Sequence, residues 1–355
     1  MEANKKYFSA QLMAWHANEN ERSLPWKSEQ DPYKIWLSEV ILQQTRALQG
    51  LPYYLAFTEA YPTVRDMAAA ADEEAFRLWQ GLGYYNRCKN MLATARHISS
   101  NLGGVFPKTY EEILALKGIG PYTAAAIASF AYRLPHAVVD GNVYRVLARY
   151  FGIDAPFDTT AGKKSFSELA QELLDKKNSG AYNQAIMDLG ATVCTPRNTR
   201  CEECPLQKKC VAYNQGLIDV LPVRSKKQTV RTRYFNYLLL KCDGKIWIHK
   251  RTDSDIWGNL HEPYLIETEQ PLTAISLLNS SKFKNLHIQN FKINFEGRTT
   301  QRLTHQLINF NFFSINLEKK ITIHNVNGIW LNANDLKKIA FPKTLVSFLK
   351  NNLYF

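Results

Sequence analysis

From residue 32 to about 194, apolar side chains return every three or four positions, and Gly and Pro separate the runs. This pattern predicts helices through the first half of the chain. Ile35, Trp36, Val40, Ile41 and Leu42 mark one helix over 32–48, with Asp31 as its cap and Pro32 at the first helical position. Further helices are expected over 73–79, 89–98, 110–116, 122–132, 143–151, 166–174 and 182–194. Residues 214 to 233 lose the apolar period and carry Pro222 with Arg224, Lys226, Lys227, Arg231 and Arg233, which reads as a basic linker. Beyond it the pattern becomes strand-like. Segments 234–240 and 246–248 flank Asp243-Gly244, a pair suited to a type I′ hairpin turn. Strands are also expected at 291–295 and 307–313, and helices at 335–339 and 344–349. The organisation predicted is multidomain: an all-α domain over 1–215, a linker over 216–232, and a smaller α+β domain over 233–355. No period repeats along the chain, which argues against a solenoid.

Composition sharpens this picture. A length of 355 residues suits two domains, and 45% hydrophobic residues let each bury a core. The longest apolar run, 123–132, is too short to span a bilayer, and the N-terminus has no signal-peptide core. Secreted and membrane-embedded proteins are therefore not expected. Lys and Arg number 44 against 32 Asp and Glu, so a polyanionic partner is expected, nucleic acid first and an acidic membrane surface second. The excess is uneven. Residues 1–215 hold 24 basic against 22 acidic side chains, and residues 216–355 hold 20 against 10, so most attraction should come from the second part.

Four of the six cysteines, Cys194, Cys201, Cys204 and Cys210, crowd together with 6, 2 and 5 residues between them. With no histidine near, they suit a four-cysteine zinc or a [4Fe–4S] cluster, and spacing does not separate the two. Cys88 and Cys242 stand alone and read as buried residues. Leu116-Lys117-Gly118-Ile119-Gly120-Pro121 joins two expected helices; its two glycines let the backbone approach a phosphate at the next helix N-terminus. Asp140 precedes the 143–151 helix and reads as an N-cap. The same carboxylate can also stand beside a sugar and stabilise positive charge there. Glu39 lies three or four residues from Ile35, Trp36 and Leu42, so apolar neighbours should raise its pKa.

The cysteine spacing and the Gly-x-Gly hairpin together resemble the endonuclease III-like DNA glycosylases over the first 215 residues. The resemblance implies a helix-hairpin-helix glycosylase domain with a [4Fe–4S] loop at 194–210, and Asp140 as the catalytic carboxylate. Most members carry Pro where Lys117 stands. Strand-cutting members carry a nucleophilic lysine where this chain has Tyr122, so a monofunctional glycosylase is expected, with water as final acceptor. Trp36–Thr45 closely resembles the adenine DNA glycosylases (MutY-type), which remove adenine mispaired with 8-oxoguanine. This implies Glu39 as the acid that protonates the departing adenine, with Tyr122 and Asn142 orienting Asp140 and water. Arg22, Trp26 and Gln184 fall on adenine-pocket positions. Gln44, Thr45, Leu82 and Tyr84 fall on elements that enter the base stack, and Gly118 and Gly120 on the phosphate-binding hairpin.

In that family the second domain is Nudix-like and inspects the base opposite adenine. Trp257–Pro263 resembles a degraded form of its Trp-Gly-rich turn, and no Gly-x5-Glu-type box follows, so pyrophosphate cleavage is not expected. The family's Phe-Ser-His reading loop has its nearest match in Leu303-Thr304-His305, where Thr304 and His305 would meet the lesion. The resemblance thus implies an adenine-specific DNA N-glycosylase of base excision repair, monomeric and bound to double-stranded DNA containing adenine:8-oxoguanine. In a bacterium it would be cytoplasmic and nucleoid-associated. A mismatch thymine glycosylase of the same superfamily and a non-catalytic lesion-binding protein are the rival readings.

Overall fold

The computed structural model describes residues 2–225, 229–252, 255–324, 326–352 and 354. Lys226 and Lys227 of the expected linker lie outside the described residues. Contacts divide the chain into two compact units, Met1–Ala69 with Asn90–Lys227, and Ala70–Lys89 with Gln228–Phe355. No helix among the described residues is long and apolar enough to cross a membrane.

The first unit is helical. An N-terminal helix, Glu2–Asn18, buries Phe8, Leu12 and Trp15, three positions one turn apart on a single face. The Pro32–Leu42 helix starts as expected, with Asp31 accepting a hydrogen bond from the Tyr33 amide. It stops six residues short of expectation. Gln43 leaves helical geometry and Gln44 enters the left-handed region at φ 55°, so a corner forms before a second helix, Ala47–Ala60. That second helix contains Gly50 and Pro52, residues that ordinarily argue against one. Gly50 allows the two helices to touch closely, since a Cβ there would lie 2.8 Å from Leu42 Cδ2 and force that side chain to move.

The Gly141–Phe151 helix shows how one element serves two masters. Val143, Val146, Leu147 and Tyr150 face the apolar core, while Arg145 and Arg149 are buried on another flank. Arg149 reaches the stretch expected to be a loose linker, donating from Nε to the Leu221 carbonyl at 3.1 Å. The Phe157 amide donates to the Val223 carbonyl at 3.2 Å, and the Ser225 amide donates to Asp158 at 2.9 Å. Residues 221–225 are thus held on the first unit, because Leu221 is apolar enough to bury and its backbone finds fixed partners.

The second unit is a mixed sheet faced by helices. Its strands are β1 (Arg231–Cys242), β2 (Lys245–Lys250), β3 (His261–Glu262), β4 (Tyr264–Thr268), β5 (Ile293–Arg302), β6 (Gln306–Asn316) and β7 (Gly328–Leu331). The order is β3-β2-β1-β6-β5, with β4 paired to β1 and β7 to β2. β1 and β6 run parallel from Arg231↔Gln306 to Lys241↔Asn316. Asp243 and Gly244 both take positive φ, as the expected hairpin turn requires. Alternation along β1 splits the core. Phe235, Tyr237 and Leu239 face the Lys343–Asn351 helix, whereas Leu238 and Leu240 face the Ala274–Asn279 and Ser281–Lys284 helices.

The segment Ala70–Lys89 was expected within the first domain but its contacts group it with the second unit. Polar contacts join it to the rest of that unit. Lys250 Nζ lies 3.2 Å from Glu73, the Phe341 amide donates to Gln80 at 3.4 Å, and the Tyr84 and Thr304 hydroxyls share a hydrogen bond.

Candidate active site

The first unit brings Glu39, Tyr122, Asp140 and Asn142 together from three helices. Glu39 comes from the middle of Pro32–Leu42, flanked by the apolar residues its spacing predicts, and is 6% exposed. Tyr122 stands in the first turn of Pro121–Tyr132, just past the hairpin, and its hydroxyl donates to Glu39 Oε2 at 2.6 Å. Burial pushes the Glu39 carboxyl up to about 7; the Tyr122 hydrogen bond opposes this, and the negative charge of Asp140 adds to it. The side chain is therefore poised to hold a proton near neutrality and release it.

Asp140 caps the Gly141–Phe151 helix, as its position predicts. Its Oδ1 accepts from the Asn142 and Val143 amides, each at 2.8 Å, and Oδ2 accepts from the Asn142 side chain at 2.7 Å. Burial raises its pKa, against the pull of those donors and of Arg145. The cap and the candidate chemistry share one carboxylate. Asn142 is fixed in turn, because Arg145 Nη2 donates to Asn142 Oδ1 at 2.7 Å and to the Gly190 carbonyl at 2.7 Å. Arg145 Nε donates to the Cys194 carbonyl at 2.7 Å, so one guanidinium ties the Asp140 cap to the start of the cysteine loop.

The adenine-pocket candidates divide. Arg22 and Gln184 meet on Asp188, a fully buried carboxylate: Arg22 Nη1 donates at 2.7 Å and Gln184 Nε2 at 3.0 Å, both to Oδ1. Lys27 Nζ lies 2.5 Å from Oδ2, and Asn20 donates to the same oxygen at 2.8 Å. Trp26 instead packs edge-on against Tyr54, with ring centroids 5.3 Å apart. Asp188 and Lys27 were missed by sequence reasoning. Asp188 had a signal, since it lies one helical turn from Gln184; Lys27 had only its place beside Trp26.

In the hairpin, Gly118 takes φ 77° with Asn90 so close that a Cβ would lie 2.7 Å from its Cβ. The Lys117 carbonyl accepts from Thr94 at 2.7 Å. Gly120 begins the next helix with no side-chain cap, and a Cβ there would meet nothing within 4 Å. Unpaired amides at an open helix start suit a phosphate oxygen. Of the stack-entering candidates in this unit, Gln44 is exposed on its left-handed corner, and Thr45 turns back, donating to the Gln43 carbonyl at 3.4 Å.

Within the second unit, Tyr84 is 49% exposed at φ 48°, whereas Leu82 is buried. Gly81 and Gly83 supply the positive φ of the turn, and Trp79 Nε1 donates to the Gly83 carbonyl at 2.9 Å. Tyr84 and Thr304, separately chosen from sequence, are the pair whose hydroxyls meet. Thr304 and His305 are exposed at the β5–β6 tip; Leu303 is partly buried against the core. The Trp257–Glu262 turn packs its indole on Phe235 and Phe310, and Glu262 accepts from the Tyr237 hydroxyl and from Arg251.

None of the four clustered cysteines is in a disulfide, and Cys201, Cys204 and Cys210 each interact electrostatically with Cys194. Burial pushes the Cys204 thiol up to about 12, and raises Cys201 and Cys210 as well. Holding four thiolates there requires a strongly cationic group. Arg149 Nη1 supplies part of the compensation, lying 3.4 Å from Cys194 Sγ and 2.8 Å from the Thr195 carbonyl. The donor set is of the kind that ligates a thiolate-bound metal group, although no three acidic, cysteine or histidine side chains among the described residues are grouped closely enough to hold an ion.

Comparison with known proteins matches this architecture. The family described as HhH-GPD superfamily base excision DNA repair protein matches residues 37–175, and a NUDIX domain matches residues 236–351. The adenine DNA glycosylase of Buchnera aphidicola subsp. Schizaphis graminum (strain Sg) is 31% identical over 347 residues, spanning 97% of this chain and 98% of that protein. Among solved structures, a thermostable thymine-DNA glycosylase superposes with a TM-score of 0.56 at 30% identity, covering 60% of this chain and 98% of its own. An endonuclease III in a non-covalent complex with DNA shares the fold, with a TM-score of 0.53 at 19% identity, covering 61% of this chain and 98% of its own. With its helical HhH-GPD part, its Nudix-like part and a relative aligned over nearly its whole length, the chain belongs to the adenine DNA glycosylase family, within the HhH-GPD superfamily of base excision DNA repair proteins.

Proposed function

We propose that this enzyme removes adenine mispaired with 8-oxoguanine, and with guanine, from duplex DNA by hydrolysing the N-glycosidic bond. One observation carries the reading: a buried glutamate held near pKa 7 lies within the charge of a second, well-donated carboxylate. Adenine leaves poorly as an anion, so a proton from Glu39 is worth most with this base. Asp140 faces the sugar and offsets or captures the cation that develops there, while Asn142 and Tyr122 hold the two carboxylates in place. Water then completes a retaining hydrolysis. Arg22 and Gln184, set by Asp188, would bind the flipped base, and Gly118 and Gly120 would hold a neighbouring phosphate. Thr304 would accept a hydrogen bond from the lesion's N7–H.

Cys194, Cys201, Cys204 and Cys210 would hold a [4Fe–4S] cluster, which supplies a covalent tie across the loop that Arg145 and Arg149 grip. The enzyme would act as a monomer. The likeness to a thymine-DNA glycosylase favours a second reading, excision of mismatched thymine, in which a proton donor at residue 39 contributes far less.

Single-turnover assays separate these. With an adenine:8-oxoguanine duplex, Glu39→Gln should lower excision by at least about 100-fold, the low end for general acid catalysis, and leave duplex binding intact. Substantial residual excision would remove the acid role. Efficient thymine release by the unaltered protein would favour the second reading. Borohydride should trap no covalent DNA adduct, because Tyr122 stands where an imine-forming lysine would be needed. A strong adduct would overturn the monofunctional assignment.

A further inference from the structure

A groove of about 590 Å³ lies within the second unit, between the edge strand β5 and the Lys343–Asn351 helix. Its floor carries Phe312 and Phe348, whose rings stack with centroids 3.6 Å apart. Its walls are polar, and they hold two exposed cations, Arg298 on β5 and Lys343 at the helix start. Among the described residues, the one acid lining it is Glu296, engaged by Lys241 at 3.4 Å and by the Ser314 hydroxyl. Among the described residues, neither Arg298 nor Lys343 has an ion-pair or hydrogen-bond partner for its side chain. Gln301 and Thr344, hydrogen-bonded to each other, close one end of the groove. Two residues beyond Gln301 the strand runs into the Leu303–His305 tip.

We infer that this groove binds the sugar–phosphate backbone of the lesion-bearing DNA strand beside the reading tip. The inference rests on Thr304 as the lesion contact. From Gly297 to Gln301 the strand rises about 14 Å, the axial length of about four nucleotides of one strand. The β5 wall is thus long enough to follow several phosphates, and Arg298 on the strand and Lys343 on the facing helix each bring a cation with no partner among the described residues. A part of the chain with 20 basic and 10 acidic side chains adds the long-range attraction such a path requires. An acidic peptide would satisfy the charges as well. The continuity of β5 with the reading tip, in a DNA-processing family, favours the nucleic acid.

The test uses the full chain with Arg298→Gln and Lys343→Gln combined. A control pair, Lys319→Gln and Lys320→Gln, removes the same charge from the second unit outside the groove. Anisotropy titrations with undamaged and with adenine:8-oxoguanine duplexes would run from about 50 to 200 mM salt. The groove pair should flatten the log affinity–log salt slope by about 2 with the lesion duplex, roughly a tenfold smaller loss of affinity over that range. The control should keep the unaltered slope, and excision at saturating enzyme should stay within about twofold in both. An unchanged slope in the groove pair, or equal flattening in the control, overturns the proposal. So does a groove pair that binds duplex normally but no longer retains poly-glutamate, which would assign the site to an acidic protein. A flattened slope in a protein that releases no adenine would support the groove while removing the activity proposed for the active site.

Discussion

Glu39 shows what a single buried carboxylate commits the enzyme to. If it is the acid proposed above, it is protonated below about pH 7, and the single-turnover rate should fall about tenfold per pH unit above that point. Its stability contribution has a definite sign. The folded pKa is raised from an ordinary value of 4.5, so the contribution is fully present below pH 4.5 and is lost as pH rises through about 7. The loss amounts to about 3 kcal/mol. Glu39→Gln should therefore match the unaltered protein in melting temperature near pH 5 and exceed it at pH 8. Equal differences at both pH values would contradict this. The environment of Glu39 was legible in the sequence, because Ile35, Trp36 and Leu42 lie on its side of one helix. Asp188 was not. Its meaning depends on Arg22 and Lys27 arriving from more than 160 positions earlier, and helical spacing does not carry that information.

At the scale of elements, spacing located most helices and left their ends to tertiary contacts. The 32–42 helix was read six residues too long because Leu48 continues the apolar rhythm, while the corner at Gln43 and Gln44 depends on how the next helix packs. The Ala47–Ala60 helix was hidden by Gly50 and Pro52, whose local cost is overcome by burying Tyr54 and Phe57. Alternation and the Asp243-Gly244 turn made β1, β2, β5 and β6 legible, but the short strands β3, β4 and β7 carry too few residues to show a period and were not expected. The parallel pairing of β1 with β6 was not legible, since nothing local distinguishes it from an antiparallel ladder. One contact between elements is decisive for the site. The Ser179–Thr192 helix passes the Asp140 cap at Gly190, where a Cβ would sit 2.6 Å from Asn142 Cβ and 3.1 Å from its Cα. Gly190→Ala should cost about 1–3 kcal/mol by overpacking and displace Asn142 from Asp140. Thermal melts and excision rates should fall together; an unchanged rate would show that the cap tolerates the shift.

At the scale of the whole chain, the net charge of +12 resolves into a nearly balanced first part and a strongly basic second part. Long-range attraction to DNA and chemistry on DNA are therefore carried by different stretches. Tyr84 and Thr304, 220 positions apart, join the stack-entering and lesion-reading candidates in one unit. Tyr84→Phe keeps the ring and removes the hydroxyl. It should lower excision opposite 8-oxoguanine about fivefold, near the worth of one hydrogen bond, while leaving excision opposite guanine unchanged. Equal effects on both substrates would show that the bond serves folding alone. The two separate roles were legible as a resemblance, but their bond was not, because the loops that carry them meet only in three dimensions.

The double duty of Asp140 reaches beyond the single molecule. Asparagine caps a helix about as well as aspartate, so Asp140→Asn should leave the protein folded and able to find its mispairs while removing the charge proposed above to act on the sugar. Such a protein is an obstacle rather than an absence. In a cell holding both versions it would occupy mispairs, shield them from the working enzyme, and raise mutation rates even with one good copy present. A strain carrying both should mutate faster than one carrying the working copy alone, and equal rates would show that the inert protein yields its sites.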